Sequence, residues 1–518
     1  MKTLIYNGTI YSMRTERETF DAIVITENKI SECINGEVNP ALYDHVIDLK
    51  GAVLFPGFVD THTHLVGTGM ALTSISFKGE TLAQSVLDVI CEATKAMDDD
   101  QFLICEGLDD NKLDRKLTLN DIERVTHKKV IIKRVCRHAA LVSRAVFNHF
   151  NITDDVRDID GGKYEREDGK LNGWVHDNAM EVILSVASKT DESTITQAVD
   201  KAVTAFRSVG LTGVHTEDLA YYDDFKDVLQ AYKNVIHNQN PFRLNILRHT
   251  DVIEEVLDTD FEYNEYFRPD AMKFYADGAL GGRTALMREP YTDDPSTSGL
   301  AIYTKSELEA KVKYAREHDI PIAVHMIGDK AVEMVLDAIE SYPIKDGRDR
   351  LIHVSFLSED LISRMKQLPV ICDIQPMFVA SDFPWALARV GHERVRYSYP
   401  WRSLLSAGII CGGGSDSPIE TYNPMYGIYA AVARQSPDDT QGYNMEEALS
   451  VYDAIRLYTT EAAKVARNED TYGTIEVGKY ADFTILKQDP FKVKIEKLYE
   501  IETSCTMIDG KIVYQCEG

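Results

Sequence analysis

The chain has 518 residues, of which 44% are hydrophobic, and its 83 acidic and 56 basic side chains give a net charge of −27. This length allows a large hydrophobic core and at least one further domain. The strong negative charge argues against a protein that binds nucleic acid or docks on an anionic membrane surface.

The cysteines and the N-terminus indicate the compartment. None of the eight cysteines forms a Cys-x-x-Cys pair, and several lie in apolar runs, such as Cys136 and Cys411. This usage is typical of buried free thiols in a reducing environment. The first residues are too polar for a signal peptide, and no apolar run approaches the roughly 20 residues of a membrane span. We therefore expect a cytoplasmic protein.

Both ends of the chain have the pattern of short β-strands. Asn7-Gly8 separates two apolar runs near the N-terminus, and Asp509-Gly510 separates two more near the C-terminus. Such dipeptides between apolar runs are strong signals for β-hairpins. We expect residues 1–56 and 470–518 to form one composite β-sandwich domain; two unrelated β-rich appendages are the alternative.

The most informative segment is Pro56-Gly57-Phe58-Val59-Asp60-Thr61-His62-Thr63-His64, which follows a strand-like apolar run. Side chains at positions i and i+2 of a strand point to the same face. His62 and His64 would therefore converge at the C-terminal end of a strand, and this geometry suits a divalent metal ion. Two histidines in a surface turn are the alternative reading.

Between the β-rich ends, strand patterns alternate with helix patterns. This alternation predicts a parallel sheet covered by helices, and residues 57–469 are the right length for a (β/α)8 barrel. The interval between His325 and His353 matches about one βα unit of ~30 residues. The interval from His64 to Lys273 is too long for three plain units, so we expect an insertion around residues 75–190.

Four further residues with metal or acid–base chemistry follow apolar strand patterns: Lys273, His325, His353 and Asp416. In a barrel of this kind the C-terminal ends of the strands carry the chemistry. We therefore expect these four residues to meet His62 and His64 at the mouth of the barrel. Three of the four have a structural alternative: a core histidine for His325, a lysine paired with Asp277 for Lys273, and a helix N-cap for Asp416.

Each residue type fits a role at such a centre. Neutral imidazoles suit Zn²⁺ or a similar metal. A lysine ammonium has no lone pair, but carboxylation of Lys273 by CO₂ would make it an anionic oxygen ligand able to bridge two metals. Desolvation would lower the pKa of Lys273 and favour that adduct. Asp416 is expected to bind metal weakly and to accept a proton from a metal-activated water.

The motifs resemble those of the amidohydrolase superfamily. The Pro56–His64 segment resembles its signature, while Lys273–Ala285, His325–Asp329 and Gly414–Pro418 resemble its YtcJ-like branch, amidohydrolase family 3. The resemblance implies a distorted barrel with one or two divalent metals, usually zinc. It also implies that His62 and His64 hold the more buried ion, that Lys273 bridges, that His325 and His353 hold the second ion, and that Asp416 is the base and then the acid.

Differences from the family pattern concern the substrate. The family commonly has Glu before the strand-6 histidine, where this chain has Ile352. The insertion histidine, His138, is present with smaller and more apolar neighbours. We consider three residues as candidates for substrate binding: Arg283 for a carbonyl or carboxylate, His138 from the insertion, and Asp277 as a residue that orients a ligand. His215 and Glu217 are placed near the site without a role.

Together these observations predict a metal-dependent amidohydrolase that cleaves a carbon–nitrogen bond other than a peptide bond in a small molecule. Known activities in the branch include hydrolysis of N-substituted formamides. A ligand-binding or regulatory protein on the same fold and an ester or lactone hydrolase are the alternatives. The sequence leaves open whether the protein forms a homo-oligomer.

Overall fold

The computed structural model describes the chain except residues 96, 100, 135–138, 160, 188–189, 440 and 517–518. The strands, in chain order, are β1 (Lys2–Tyr11), β2 (Thr19–Thr26), β3 (Lys29–Ile34), β4 (His45–Asp48), β5 (Val53–Pro56), β6 (Phe58–Thr63), β7 (Ile75–Ser76), β8 (Phe102–Leu108), β9 (Lys129–Arg134), β10 (Ala139–Val142), β11 (Gly162–Glu167), β12 (Lys170–Asp177), β13 (Leu211–Thr216), β14 (Arg243–His249), β15 (Phe267–Tyr275), β16 (Ile322–Met326), β17 (Asp349–His353), β18 (Val370–Ile374), β19 (Ile410–Gly413), β20 (Phe483–Leu486), β21 (Thr503–Ile508) and β22 (Lys511–Gln515).

The α-helices, in chain order, are α1 (Leu65–Thr73), α2 (Ala83–Thr94), α3 (Leu119–Val125), α4 (Arg144–His149), α5 (Asn178–Ala187), α6 (Glu192–Ser208), α7 (Phe225–Val235), α8 (Ile253–Leu257), α9 (Lys305–Glu317), α10 (Asp329–Ser341), α11 (Glu359–Met365), α12 (Phe378–Val395), α13 (Trp401–Ser406), α14 (Pro424–Ala433), α15 (Val451–Leu457) and α16 (Thr460–Val465).

Eight parallel strands form the central sheet, in the order β19-β18-β17-β16-β15-β14-β13-β6. Most of their residues are buried, as expected for strands covered on both faces, which is why they read as continuous apolar runs. Helices such as α6, α9 and α10 connect or cover them. The expectation of a (β/α)8 barrel is confirmed.

The barrel closes between its first and last strands. The main-chain N–H of Asp416, just after β19, donates a hydrogen bond to the carbonyl of His62 over 2.8 Å. A Cβ on Gly412 would lie only 2.5 Å from the Thr61 side chain, so this edge needs a glycine for the two strands to approach. The closure brings the loop after β19 beside His62 and His64.

Strands from both ends of the chain share one sheet, ordered β22-β21-β20-β5-β1-β2-β3, with β4 paired to β1. Its buried core joins residues of both termini, including Ile5, Ile23, Phe483 and Met507. The expected β-structure built from both ends is therefore confirmed, and two unrelated appendages are excluded. The hairpin expected at Asn7-Gly8 is not formed: β1 continues through both residues, and its pairing with β2 shifts register between Tyr6 and Ile10. The boundaries at residues 56, 57, 469 and 470 stay predictions.

Residues Met70–Asp191 form a second compact unit, separate from the unit made of Met1–Gly69 and Glu192–Gly518. Its six-stranded sheet has the order β11-β12-β10-β9-β8-β7. Adjacent residues of β9, Ile131 and Ile132, enter two different apolar clusters, because successive side chains of a strand point to opposite faces. The sheet is thus packed on both faces.

Within the described parts of the chain, no helix has the length and apolar character needed to cross a membrane.

Candidate metal centre

His62 and His64 lie at the C-terminal end of β6, with ring centroids 5.7 Å apart. His62 is 1% exposed, and its Nδ1 has no hydrogen-bond partner among the described residues. The Nδ1 of His64 lies 2.6 Å from the main-chain oxygen of Glu217. Since a carbonyl only accepts, that Nδ1 carries a proton, and the Nε2 atom of His64 faces the centre.

His325 and His353, at the ends of β16 and β17, complete a cluster of four imidazoles. The ring of His353 lies 4.5 Å from that of His325 and 5.6 Å from that of His62, between centroids. The Nδ1 of His353 contacts Gln375 Oε1 at 2.7 Å, which fixes this ring in the way that outer hydrogen bonds orient metal-binding histidines. The Nε2 of His325 contacts the oxygen of Gly278 at 3.1 Å.

Burial keeps most of these imidazoles neutral. It lowers the pKa values of His62 and His325 well below the ordinary value, and that of His353 to about 4. Neutral imidazoles keep a lone pair for a metal ion. His64 differs: burial lowers its pKa, but the neighbouring Asp416 carboxylate outweighs that effect and raises it to about 9.

Asp416 reaches the cluster from the loop after β19. Its Oδ1 lies 3.3 Å from His64 Nε2 and 3.5 Å from His62 Nε2. Burial raises the pKa of this carboxyl, but contacts with His64, His353 and Lys273 bring it below its usual range. A largely buried carboxylate therefore faces the two imidazoles of β6.

Lys273, at the end of β15, is 1% exposed and forms an ion pair with the fully buried Glu217, which follows β13. Burial lowers the pKa of Lys273, but the Glu217 carboxylate raises it above its ordinary value overall. This differs from the expectation that desolvation would lower that pKa, because a carboxylate was buried with the amine. Carboxylation of Lys273 stays a prediction.

Glu217 lies within the centre, although its sequence context predicted only that it is near the site. Potential ligand atoms of His62, His64 and Glu217 all lie within 4.8 Å of one another, as do those of His62, His353 and Asp416. The second oxygen of Glu217 accepts a hydrogen bond from Tyr221 Oη at 3.0 Å. The signal was present: Glu217 follows the strand next to β6, at the same edge as the other strand-end residues.

Asp277 lies beside the centre. It does not pair with Lys273, so the alternative of a Lys273–Asp277 pair is wrong. Its carboxylate accepts main-chain N–H bonds from Leu286, Ile327 and Gly328 over 2.8–3.0 Å. Burial raises its pKa to about 7. Its Oδ1 lies 3.7 Å from His325 Nε2. Asp277 therefore holds the loops that follow β15 and β16.

The other predicted substrate residues are placed differently. The guanidinium of Arg283 makes two hydrogen bonds to the Asp293 carboxylate, at 3.1 and 3.0 Å, and the side chain is 33% exposed. The structure does not bring it into the histidine cluster. His138 lies outside the described residues. His215 is fully buried in β13, and neither ring nitrogen has a partner among the described residues.

A cavity of about 330 Å³ opens beside His64. It is lined by His64, Gly67, Asp218, Tyr221, Tyr222, Tyr275 and Pro418. The hydroxyls of Tyr221 and Tyr275 are hydrogen-bonded to each other, and the Tyr275 ring lies 4.5 Å from Lys273 Nζ. On another side of the cluster, Phe378 stacks on His353 with centroids 5.7 Å apart.

The donor set fits a divalent metal ion. The buried His62 Nδ1 lacks a partner, and histidines and carboxylates surround one small volume. Nitrogen donors with a few carboxylate oxygens are the ligands of zinc and similar metals. Glu217 pairs with Lys273, and Asp416 pairs with His64.

Comparison with known proteins gives consistent matches. A family model described as the amidohydrolase family matches residues 45–514. The chain is 38% identical to the Bacillus subtilis protein "Putative amidohydrolase YtcJ", over 99% of this chain and 100% of that protein. It is 24% identical to an N-substituted formamide deformylase of Arthrobacter pascens, over 99% of this chain and 98% of that enzyme.

Among solved structures, an uncharacterized metal-dependent hydrolase from Pyrococcus furiosus superposes with a TM-score of 0.79 and 27% sequence identity. The match covers 95% of this chain and 100% of that one.

Proposed function

Because the chain belongs to the amidohydrolase family, we propose that it hydrolyses an amide-type or N-formyl carbon–nitrogen bond, other than a peptide bond, in a small molecule. The observation that carries the proposal is the meeting of His62, His64, His353, Glu217 and Asp416 within one buried cluster. The choice of a carbon–nitrogen bond is supported by the relative from Arthrobacter pascens, which is named for deformylating N-substituted formamides.

We propose that one or two divalent metal ions, with zinc as the best fit, are held by this cluster. His62, His64 and Glu217 would bind one ion. His325 and His353, whose ring centroids lie 4.5 Å apart, would bind a second, with Asp416 within reach of both histidines of β6. When bound, such an ion lowers the pKa of a water molecule and polarises the substrate carbonyl.

Asp416 is the proposed general base. Its carboxylate faces the histidine cluster and lies 3.3 Å from His64 Nε2, at the place where a water molecule would be activated. A carboxylate in this position accepts the proton of the attacking water and then donates it to the leaving amine. The same residue would thus act first as base and then as acid.

The surrounding residues hold this arrangement. The carbonyl of Glu217 fixes the tautomer of His64, and the amide oxygen of Gln375 fixes that of His353. The cavity beside His64 is the proposed place for one side of the scissile bond, and its three tyrosines give it an amphipathic wall. Substrate binding by Arg283 and by His138 stays a prediction, and Arg283 is paired with Asp293.

The proposal is tested by assaying the zinc-loaded protein against a panel of N-formyl and N-acyl amines. Release of the free amine by the wild type, lost in Asp416→Asn, supports it. Turnover confined to esters or lactones would favour the alternative hydrolase. A protein with full metal content and no turnover on any panel member would favour a ligand-binding protein on this fold.

A further inference from the structure

A large cavity lies at the opposite end of the barrel from the histidine cluster. It has a volume of about 840 Å³ and includes Asn245 of β14, Phe267 at the start of β15, Pro321 before β16 and Arg350 near the start of β17. These positions are at the N-terminal ends of the strands, whereas His325 and His353 are at the C-terminal ends. The cavity is therefore separate from the proposed metal centre.

Positive charge is concentrated on the cavity wall, although the chain as a whole carries −27. Five arginines line it, together with Glu265, Asp270 and Asp319; the arginines are Arg248, Arg268, Arg348, Arg350 and Arg467. Tyr263, Phe267 and Tyr480 add aromatic surface.

Three of the five guanidiniums have carboxylate partners. Arg350 is balanced by Asp373 at 3.0 Å and by Asp270. Arg467 pairs with Asp346 at 2.9 Å, and Arg348 lies 3.6 Å from Glu469. Each of these three arginines therefore has a carboxylate of the protein as its counter-charge.

Arg248 and Arg268 have only neutral acceptors. Arg248 donates through Nε and Nη2 to the main-chain oxygen of Asp270, at 2.8 and 2.5 Å, and Arg268 donates to the side-chain oxygen of Asn468. Among the described residues, no carboxylate lies within salt-bridge distance of either guanidinium. Burial lowers the pKa of Arg248, and the charges of Tyr263 and Asp270 offset this only in part.

From these contacts we propose that the cavity binds a phosphate-bearing small molecule through Arg248 and Arg268. Guanidinium groups present planar pairs of N–H donors that match phosphate oxygens. Two guanidiniums that form no salt bridge in one cavity suit a dianionic group, and the aromatic side chains provide a surface for an organic remainder. The proposal is independent of the proposed hydrolase activity.

The test is calorimetric titration of the full-length, metal-loaded protein with pyrophosphate. We expect saturable binding that weakens at least about tenfold in Arg248→Gln and in Arg268→Gln, because each loses charge-assisted hydrogen bonds. Arg364→Gln is the matched control, since Arg364 is committed to Asp337 and Glu340 elsewhere. Its affinity should equal that of the wild type.

Further variants keep the test decisive. Arg248→Lys retains the charge and should bind more tightly than Arg248→Gln. Arg268 is only half-buried, so Arg268→Gln should fold even where a change at Arg248 does not. His62→Ala should leave binding unchanged. Three results would overturn the proposal. They are no saturable binding by the wild type, wild-type affinity in both Arg248→Gln and Arg268→Gln, and loss of binding in His62→Ala. The last result would place pyrophosphate at the metal centre.

Discussion

Lys273 and Glu217 form an ion pair at the C-terminal ends of β15 and β13, and their side chains are only 1% and 0% exposed. Two charges withdrawn from water in this way stabilise each other only while both are present. Glu217 also lies among potential ligand atoms of His62 and His64. The same carboxylate is therefore positioned to face either the lysine or a metal ion.

Replacing Lys273 should lower the stability of the folded protein. In metal-free protein, Lys273→Met is expected to lower the free energy of unfolding by about 3–5 kcal/mol, because Glu217 is left without its counter-charge. Denaturant titration measures the change, and added zinc should recover part of it. Lys313→Met, at a surface pair with Glu317, is the control and should stay within about 0.5 kcal/mol. A loss below about 1 kcal/mol for Lys273→Met would contradict this reading of the pair.

Neutralising Glu217 should weaken metal binding. Glu217→Gln keeps the shape of the side chain and removes its charge, so we expect zinc affinity to fall by at least about tenfold, measured by competition with a chelator. Glu255→Gln, at an exposed position of α8, provides a control of equal charge change. Unaltered affinity in Glu217→Gln would remove Glu217 from the ligand set.

The proposed base gives a kinetic prediction. Asp416→Asn should reduce kcat by about 10²–10⁴-fold, because an amide cannot accept the proton of the attacking water, while the protein stays folded. The measurement is steady-state kinetics on an N-formyl amine that the wild type cleaves. Asp337→Asn, at a surface residue of α10, should retain the wild-type rate. A fall of less than fivefold in Asp416→Asn would show that another group takes the proton.

Gln375 should act by orienting His353, while its side-chain N–H donates to the carbonyl of Asp373 at 3.2 Å. Its side-chain oxygen contacts His353 Nδ1 at 2.7 Å, so Gln375→Leu frees the ring to rotate and change tautomer. We expect a loss of about 10–100-fold in metal affinity or activity, with the fold retained. Gln367→Leu, at an exposed position, is the matched control. If Gln375→Leu bound zinc and turned over substrate as the wild type does, orientation of His353 would not depend on this contact.

Much of the fold could be predicted because strands and turns have short, local sequence patterns. The apolar runs before His325 and His353 predicted the barrel strands, and Asp509-Gly510 predicted the hairpin of β21 and β22. The hairpin predicted at Asn7-Gly8 is wrong, because β1 runs through both residues and only its pairing with β2 is irregular there. The rule that chemistry sits at the C-terminal ends of barrel strands was enough to predict the meeting of residues far apart in sequence. The resemblance to the amidohydrolases is confirmed by the family match over residues 45–514.

The sequence did not predict which side chains pair with one another. Lys273 and Asp277 are close in sequence, but Asp277 turns away to accept three main-chain N–H bonds, and Lys273 meets Glu217 from another strand instead. Arg283 likewise finds Asp293 on its own loop. Which side chains pair depends on which of them share a buried volume. The sequence of a single chain does not contain that information.

The most direct test of the metal centre is the metal content of the purified wild type and of His62→Ala, measured by inductively coupled plasma mass spectrometry after loading with zinc and dialysis. His237→Ala, at an exposed histidine, is the control. The account predicts one or two zinc ions per chain in the wild type and in His237→Ala, and a loss of at least one ion in a folded His62→Ala protein. Retention of the full metal content by His62→Ala would contradict it.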